Sequence, residues 1–326
     1  MGRALVLAGG GVTGIAWESG VLAGLAAGGI DMQDWDLVVG TSAGAFVGAR
    51  LTLDGSPEPL FERQASAVNA ADVEALRVVF GSGFARTVRW SRRPRFRWVG
   101  VIWLANLIVT SVMRYAVRNG FRSTVFLART VRRARQEGDW QRIAAQIGAV
   151  CNANRKRSTA LAAFWERDLG PRRRWPQTRL VTAAVDTADG SRALMDATSG
   201  VPLVGAIAAS TCLPGFLPPI VLRGRRYIDG GLASVANADV ASGHEEVWIV
   251  SPFGAPSLDQ QVSDLRASDS VVHLIRPSAA GEDAIGPGIS VMDLRNRSAA
   301  ARAGFEDGQA AAQAVVTSME EAQVAQ

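Results

Sequence analysis

Two stretches decide how this chain is read: Asp36-Leu37-Val38-Val39-Gly40-Thr41-Ser42-Ala43-Gly44, and Ala4-Leu5-Val6-Leu7-Ala8-Gly9-Gly10-Gly11-Val12-Thr13-Gly14 upstream of it. Each is a short apolar run closed by glycines and followed by a helix-like segment. Apolar runs of this length, ended by glycine, read as buried parallel strands. Ile15 to Ala27 carries apolar residues at helical spacing and stops at Gly28-Gly29, and Ala43 to Leu53 reads as a second helix. This β-turn-α-β-turn-α opening predicts a three-layer α/β/α fold with a central, mainly parallel sheet.

Outward from there, residues 54–176 change character. Glu58 to Val79 reads as helical, and the region from Arg77 to Gln136 holds 14 arginines and no acidic residue. Within it, Trp98 to Met113 runs for 16 uncharged residues between Arg97 and Arg114. Asp139 to Ala163 again reads as helix. A basic helical insertion at about 77–165 is therefore expected within a single domain spanning 1–326. The sheet resumes at Arg179 to Val185 and turns at Ala188-Asp189-Gly190 into Arg192 to Met195. Val201 to Ala209 reads as a short helix. A hairpin over Val221 to Ile228 leads into Asp229-Gly230-Gly231. Val247 to Val250 and Val271 to Ile275 read as core strands, and Arg297 to Val324 as an alanine-rich terminal helix.

The chain has 326 residues, 48% of them hydrophobic and 20% charged, which supports a sizeable core and excludes wholesale disorder. The net charge of +5 is modest, and all basic residues but Lys156 are arginine. Two cysteines, Cys151 and Cys212, make neither a metal-site spacing nor a disulfide framework, so a reducing, cytoplasmic setting is expected. The apolar run Ala4 to Ala8 is too short for a secretory signal, and Gly2 lacks the context for myristoylation.

The glycine turns also carry chemistry. A G-x-S-x-G turn exposes a serine hydroxyl at the tip of a strand-to-helix bend, here Ser42, with Gly40 and Gly44 leaving room for the bend. A glycine turn at a helix start presents backbone N–H groups to negative charge. Gly9, Gly10 and Gly11 thus form a candidate oxyanion hole, supported by Gly14. The same turn fits G-x-G-x-x-G, so a dinucleotide loop is a second reading; it needs an acidic residue ending the second strand. Asp31 and Asp34 precede that strand and do not end it. The glycines after Asp229, Gly230 and Gly231, leave its carboxylate free to point inward, and an ordinary Asp-Gly turn is its plainer reading.

Taken in order, Gly9-Gly10-Gly11-x-x-Gly14, Gly40-Thr41-Ser42-Ala43-Gly44, Ala208-Ala209-Ser210-Thr211-Cys212-Leu213-Pro214-Gly215-Phe216-Leu217-Pro218-Pro219 and Asp229-Gly230-Gly231 resemble the patatin-like phospholipases. The resemblance covers roughly residues 4–55 and 178–252. It implies a serine–aspartate dyad that hydrolyses acyl esters, usually of lipids, through a covalent acyl-enzyme. Ser42 is then the nucleophile, Asp229 the general base and the Gly9–Gly11 backbone the oxyanion hole, with no metal and no organic cofactor. One departure is Thr13, where the family usually carries Lys or Arg. It leaves open a second reading, a catalytically weak or inactive lipid- or membrane-binding protein of the same fold.

Histidine is the more usual base, and the order Ser42, Asp229, His273 matches another hydrolase fold. That fold places several strands before its nucleophile, and His273 lies inside an apolar strand; His244 sits in a polar turn beside Glu245 and Glu246. An aspartate base needs a pKa above its usual ~3.9, which desolvation against Phe216 to Ile220 is expected to supply.

Trp98 to Met113 is shorter than the ~20 residues that cross a bilayer. It reads either as a buried helix of a cap or, with Trp90, Trp98, Trp103 and the flanking arginines, as an interfacial segment. Anionic lipid attracts each nearby arginine by ~1 kcal/mol. The expected partners are a lipid or other acyl-ester substrate and, through the 86–135 region, an anionic membrane surface. No recognised nucleic-acid module accompanies the arginines, so no nucleic-acid partner is expected.

Overall fold

The first apolar run forms β1 (Arg3–Leu7) and the second forms β2 (Leu37–Thr41), paired in parallel. The computed structural model describes residues 2–80, 155–170, 174–214 and 217–324. Helix α1 (Gly11–Ala27) starts inside the glycine turn, ahead of Ile15, because the Gly14 amide already donates to the Gly10 carbonyl at 2.9 Å. Helix α2 (Ala43–Asp54) follows Ser42 directly.

The expected helix over Glu58–Val79 is broken into α3 (Glu58–Ala65) and α4 (Ala70–Phe80). The break carries its own cap: Asn69 Oδ1 accepts the Asp72 amide at 2.9 Å, and Asp72 Oδ2 accepts the Asn69 amide at 3.2 Å. Helix α5 (Arg155–Leu169) overlaps the end of the helix expected over Asp139–Ala163 and extends beyond Ala163; residues 139–154 lie outside the described residues.

The remaining order is β3 (Arg179–Asp186), β4 (Arg192–Met195), α6 (Leu203–Ser210), β5 (Ile220–Leu222), β6 (Arg225–Asp229), β7 (Glu246–Val250), α7 (Pro256–Ala267), β8 (Val271–Ile275), α8 (Ala279–Ile285) and α9 (Arg297–Val324). The β5–β6 hairpin turns at Arg223-Gly224, with φ of 49° and 80°. That pair of positive values suits the twist of a two-residue hairpin.

All strands join one eight-stranded sheet with the path β5-β6-β3-β2-β1-β7-β8 and β4 paired to β3. β2, β1, β7 and β8 run parallel to one another, and β3 runs parallel to β2. β4, β5 and β6 supply the antiparallel pairings.

The register around β3 positions the site. β2 pairs with residues 179–183 of β3, while β4 pairs with residues 182–185, so these two strands occupy opposite edges. β6 pairs with residues 184–186, where β4 already fills one edge. It therefore continues along the edge that β2 leaves at Thr41. Thr41 stands opposite Ala183 and Asp229 opposite Ala184, consecutive positions of one strand.

Alternation along β1 separates two core layers. Leu5 and Leu7 join Trp17 and Leu22 of α1 and Phe46 and Val47 of α2. Ala4, Val6 and Ala8 face Leu258, Val262 and Leu265 of α7. The three-layer architecture is the expected one.

Helix α9 packs closely along α1. A Cβ at Gly304 would lie 2.1 Å from the Trp17 carbonyl, and one at Gly308 would lie 2.2 Å from that of Val21. The approach is reciprocal, since a Cβ at Gly20 would meet the Ala301 carbonyl at 2.1 Å. Asp307 adds a 2.7 Å hydrogen bond from the Trp17 indole.

The bulk of the expected insertion, including Trp90, Trp98, Trp103, Cys151 and the 86–135 stretch, lies outside the described residues. Among the described residues no helix is long and apolar enough to cross a membrane.

The α1–α9 contact yields a direct prediction. Gly304→Val is expected to lower stability by more than about 3 kcal/mol, since backbone opposes the added side chain on both helices. Denaturant unfolding measures it; Arg302→Ala on the exposed face of α9 serves as the control, with a small effect.

Candidate active site

β1 and β2 end side by side, and each passes at once into a helix. The N-termini of α1 and α2 therefore converge at the carboxyl ends of the parallel strands, where ligands bind in open α/β sheets. Both ends carry positive helix-dipole charge.

Ser42 occupies the bend between β2 and α2 with φ 52° and ψ −112°. A non-glycine residue at positive φ costs of order 1–3 kcal/mol, so the surroundings must hold it. Three contacts do. The Ser42 amide donates to Ser210 Oγ at 2.9 Å. The Gly44 amide donates to the Ala8 carbonyl at 3.0 Å, and the Ala45 amide to the Ser42 carbonyl at 3.1 Å. Gly44 must lack a side chain, because a Cβ there would sit 2.2 Å from the Leu7 carbonyl oxygen; Gly40 is similarly crowded by Ala45 Cα at 2.5 Å.

Asp229 ends β6, where the shared edge of β3 brings it beside Ser42. Ser42 Oγ donates to Asp229 Oδ2 at 2.7 Å. Asp229 Oδ1 accepts the Gly231 amide at 2.8 Å, capping the 3-10 turn Gly230–Leu232. The Asp229 amide donates to the Cys212 carbonyl at 3.0 Å. Gly230 allows this close pass, since a Cβ there would meet the Ala183 carbonyl oxygen at 2.3 Å. Asp229 is 5% exposed. Burial pushes its carboxyl up to about 6, against the opposing effects of the Ser42 and Gly231 hydrogen bonds. Of the segment expected to desolvate it, Leu217 and Ile220 are themselves buried; Gly215 and Phe216 lie outside the described residues.

The glycine loop lies against the serine: a Cβ on Gly9 would be 3.5 Å from Ser42 Cβ. The Gly9 amide is committed to the Val235 carbonyl at 2.8 Å. The Gly10 and Gly11 amides donate to no acceptor among the described residues. Of the three glycines, Gly9 is thus held by its backbone bond, and Gly10 and Gly11 keep unengaged amides among the described residues. Gly11 has φ 64°, and a Cβ on it would collide with Val291 Cγ2 at 2.7 Å. Gly14 packs on Pro252 and Ala43.

Thr13 is fully buried, and its hydroxyl lies 3.0 Å from the Ile285 carbonyl and 3.1 Å from that of Val291. It ties the glycine loop to the segment after α8. Its buried hydroxyl is satisfied by these backbone carbonyls, with no charge at this position. Behind the loop, Glu18 of α1 is fully buried, and desolvation holds its carboxyl well above the usual range.

The alternative readings separate on position. His273 stacks on Trp248 at 4.2 Å and meets Glu246 at 3.3 Å, with Arg3 on the same carboxylate. Arg3 and Glu246 begin their strands, so this cluster lies toward the end of the sheet opposite Ser42. His244 contacts the Ala241 carbonyl ahead of β7. Asp31 and Asp34 stay in the α1–β2 connection, and β2 ends on the Ser42 bend. Among the described residues no group of three or more His, Cys, Asp or Glu side chains forms a candidate metal site.

Ser210, the Cys212 and Val235 carbonyls and the burial of Thr13 all escaped the sequence reading. Ser210 and Cys212 lay inside a quoted motif, but their partners are far away in the chain.

The raised Asp229 pKa has a consequence for stability. The folded chain holds this proton more tightly than the unfolded chain. That contribution is fully present below 3.8 and is lost as pH rises through about 6. Ionised Asp229 then costs up to about 3 kcal/mol. Asp229→Asn is therefore expected to raise the thermal midpoint at pH 8, with the gain vanishing near pH 4.

The patatin-like phospholipase family model matches residues 5–242, which span β1 to β6 and every motif of the site. No curated protein matches the chain. Among solved structures, VipD from Legionella pneumophila is 12% identical with a TM-score of 0.43, over 96% of this chain and 67% of that one. The type III effector protein ExoU is 18% identical with a TM-score of 0.34, over 96% of this chain and 53% of that one, so this chain spans about half of ExoU. The family match covers most of the sequence and includes both glycine turns and Asp229-Gly230-Gly231: the chain belongs to the patatin-like phospholipases.

Proposed function

We propose that this chain is a serine acyl hydrolase of lipid esters, working through a Ser42–Asp229 dyad and a covalent acyl-enzyme. The observation that carries the reading is the 2.7 Å hydrogen bond from Ser42 Oγ to a buried carboxylate oxygen, beside a glycine loop with two open amides. Serine is a weak nucleophile without a base in reach. An aspartate whose pKa is raised to about 6 is a better proton acceptor than an exposed one and is still ionised at neutral pH.

The steps follow from the contacts. Ser42 Oγ attacks the ester carbonyl carbon as its proton passes to Asp229 Oδ2. The carbonyl oxygen becomes an oxyanion, received by the Gly10 and Gly11 amides and the α1 dipole. Collapse breaks the ester C–O bond, and the Asp229 proton leaves with the alcohol. Water then attacks acyl-Ser42, giving its proton to Asp229. The fatty acid departs as Ser42 recovers that proton. The Gly231 amide keeps Oδ1 engaged throughout, so Oδ2 alone faces the serine.

The reading does not require the family's usual cation at Thr13. Its hydroxyl braces the glycine loop, a role that requires no charge at this position. We place the enzyme in the cytoplasm, with the basic 86–135 stretch as a peripheral contact to anionic membrane.

An ester panel of graded acyl length, run on wild type, Ser42→Ala and Asp229→Asn, tests the chemistry. Each variant is expected to lose roughly 10³-fold or more in turnover while staying folded. In wild type, kcat/KM is expected to rise through about pH 6 as Asp229 ionises and then level off. An Asp229→Asn protein with near-native turnover removes the dyad. For the membrane contact, flotation is expected to recover more protein on anionic than on neutral vesicles; equal recovery contradicts electrostatic docking.

A further inference from the structure

The last turn of α6 touches both members of the dyad. Ser210 Oγ accepts the Ser42 amide at 2.9 Å, and the Cys212 carbonyl accepts the Asp229 amide at 3.0 Å. Between them stands Thr211. Its hydroxyl donates to the Ile207 carbonyl at 2.8 Å and accepts the Trp165 indole N–H at 2.8 Å.

Trp165 belongs to α5, which leads directly out of residues 81–154. It is 5% exposed, and its ring lies 4.6 Å from that of Phe46 on α2, the helix that Ser42 opens. One indole thus contacts the nucleophile helix through its face and the α6 turn through its N–H. A second tie fixes α5 to α2: Arg50 Nη1 donates to the Asp168 carbonyl at 2.9 Å. Neither Trp165 nor Thr211 reaches the hydroxyl of Ser42 or the carboxylate of Asp229.

We infer that Trp165 and Thr211 are positioning residues, an anchor through which α5 sets the Ser42–Asp229 geometry. The inference rests on the acyl-hydrolase reading. Loss of either partner releases the α6 turn from α5, and an indole N–H left without its acceptor adds a cost of its own. Ser210 and Cys212 move with the turn, and the dyad separates. Catalysis is sensitive to such shifts, because the proton must pass along one short bond.

Thr211→Val, Thr211→Ser and Trp165→Phe, assayed on a soluble short-chain p-nitrophenyl ester, test the anchor. Thr211→Val and Trp165→Phe are each expected to lower kcat about tenfold. KM is expected to stay within about twofold. Thr211→Ser keeps the hydroxyl and is expected to restore kcat. The Thr211→Val/Trp165→Phe double variant is expected to be no worse than the worse single one, since both break the same bond and the double leaves no orphaned donor. Single variants with wild-type kcat, losses that add in the double variant, or a Thr211→Ser protein as impaired as Thr211→Val overturn the anchor. If Thr211→Val fails to fold, Trp165→Phe against Thr211→Ser decides. Wild-type protein that turns over no ester removes the hydrolase reading and the anchor together. Wild-type turnover with unaffected variants removes the anchor alone.

Discussion

The site depends on one edge of β3. β2 leaves that edge at Thr41 and β6 takes it up with Asp229 opposite Ala184, so a residue just past β2 and the last residue of β6 must meet. Gly230 keeps the chain close as it passes Ala183, and Gly44 lets α2 start against Leu7. The 2.7 Å bond between Ser42 and Asp229 is thus a product of sheet register as much as of side-chain chemistry.

This arrangement sets function against stability. Ser42 is held at positive φ, and among the described residues Asp229 is buried without an ion-pair partner and two loop amides are left open. Each feature costs free energy in the resting protein and serves the proposed reaction. The α1–α9 contact, the two-layer core and the Thr13 brace offset those costs. β7, α7, β8, α8 and α9 lie beyond the family match, yet β7 borders β1 and the segment after α8 holds the glycine loop. That part of the chain is therefore not an appendage to the site.

Much of the fold was legible because its signals are local. The apolar runs around residues 4–8 and 36–39, the glycines that end them and the hairpin at Arg223-Gly224 each act within a few residues. The contact between Ser42 and Asp229 was legible because the four stretches that carry the family resemblance occur in order. The break between α3 and α4 also has a local signal, Asn69 three residues before Asp72, which the apolar pattern on either side obscured. What stayed hidden is long-range. Nothing near Gly9 announces that Val235 takes its amide, and nothing near Thr13 announces Ile285 and Val291. Ser210 lies 168 residues from the amide it accepts. Such contacts arise only once the sheet is assembled.

The central claim is that Ser42 is a nucleophile made reactive by Asp229. A fluorophosphonate reacts covalently with an activated serine, and intact-mass and peptide mass spectrometry locate the adduct. The account predicts a single adduct per chain, on Ser42, formed faster as pH rises through about 6 and nearly absent in folded Asp229→Asn protein. No adduct on folded wild-type protein, an adduct on another residue, or labelling of Ser42 that is indifferent to Asp229→Asn would contradict it.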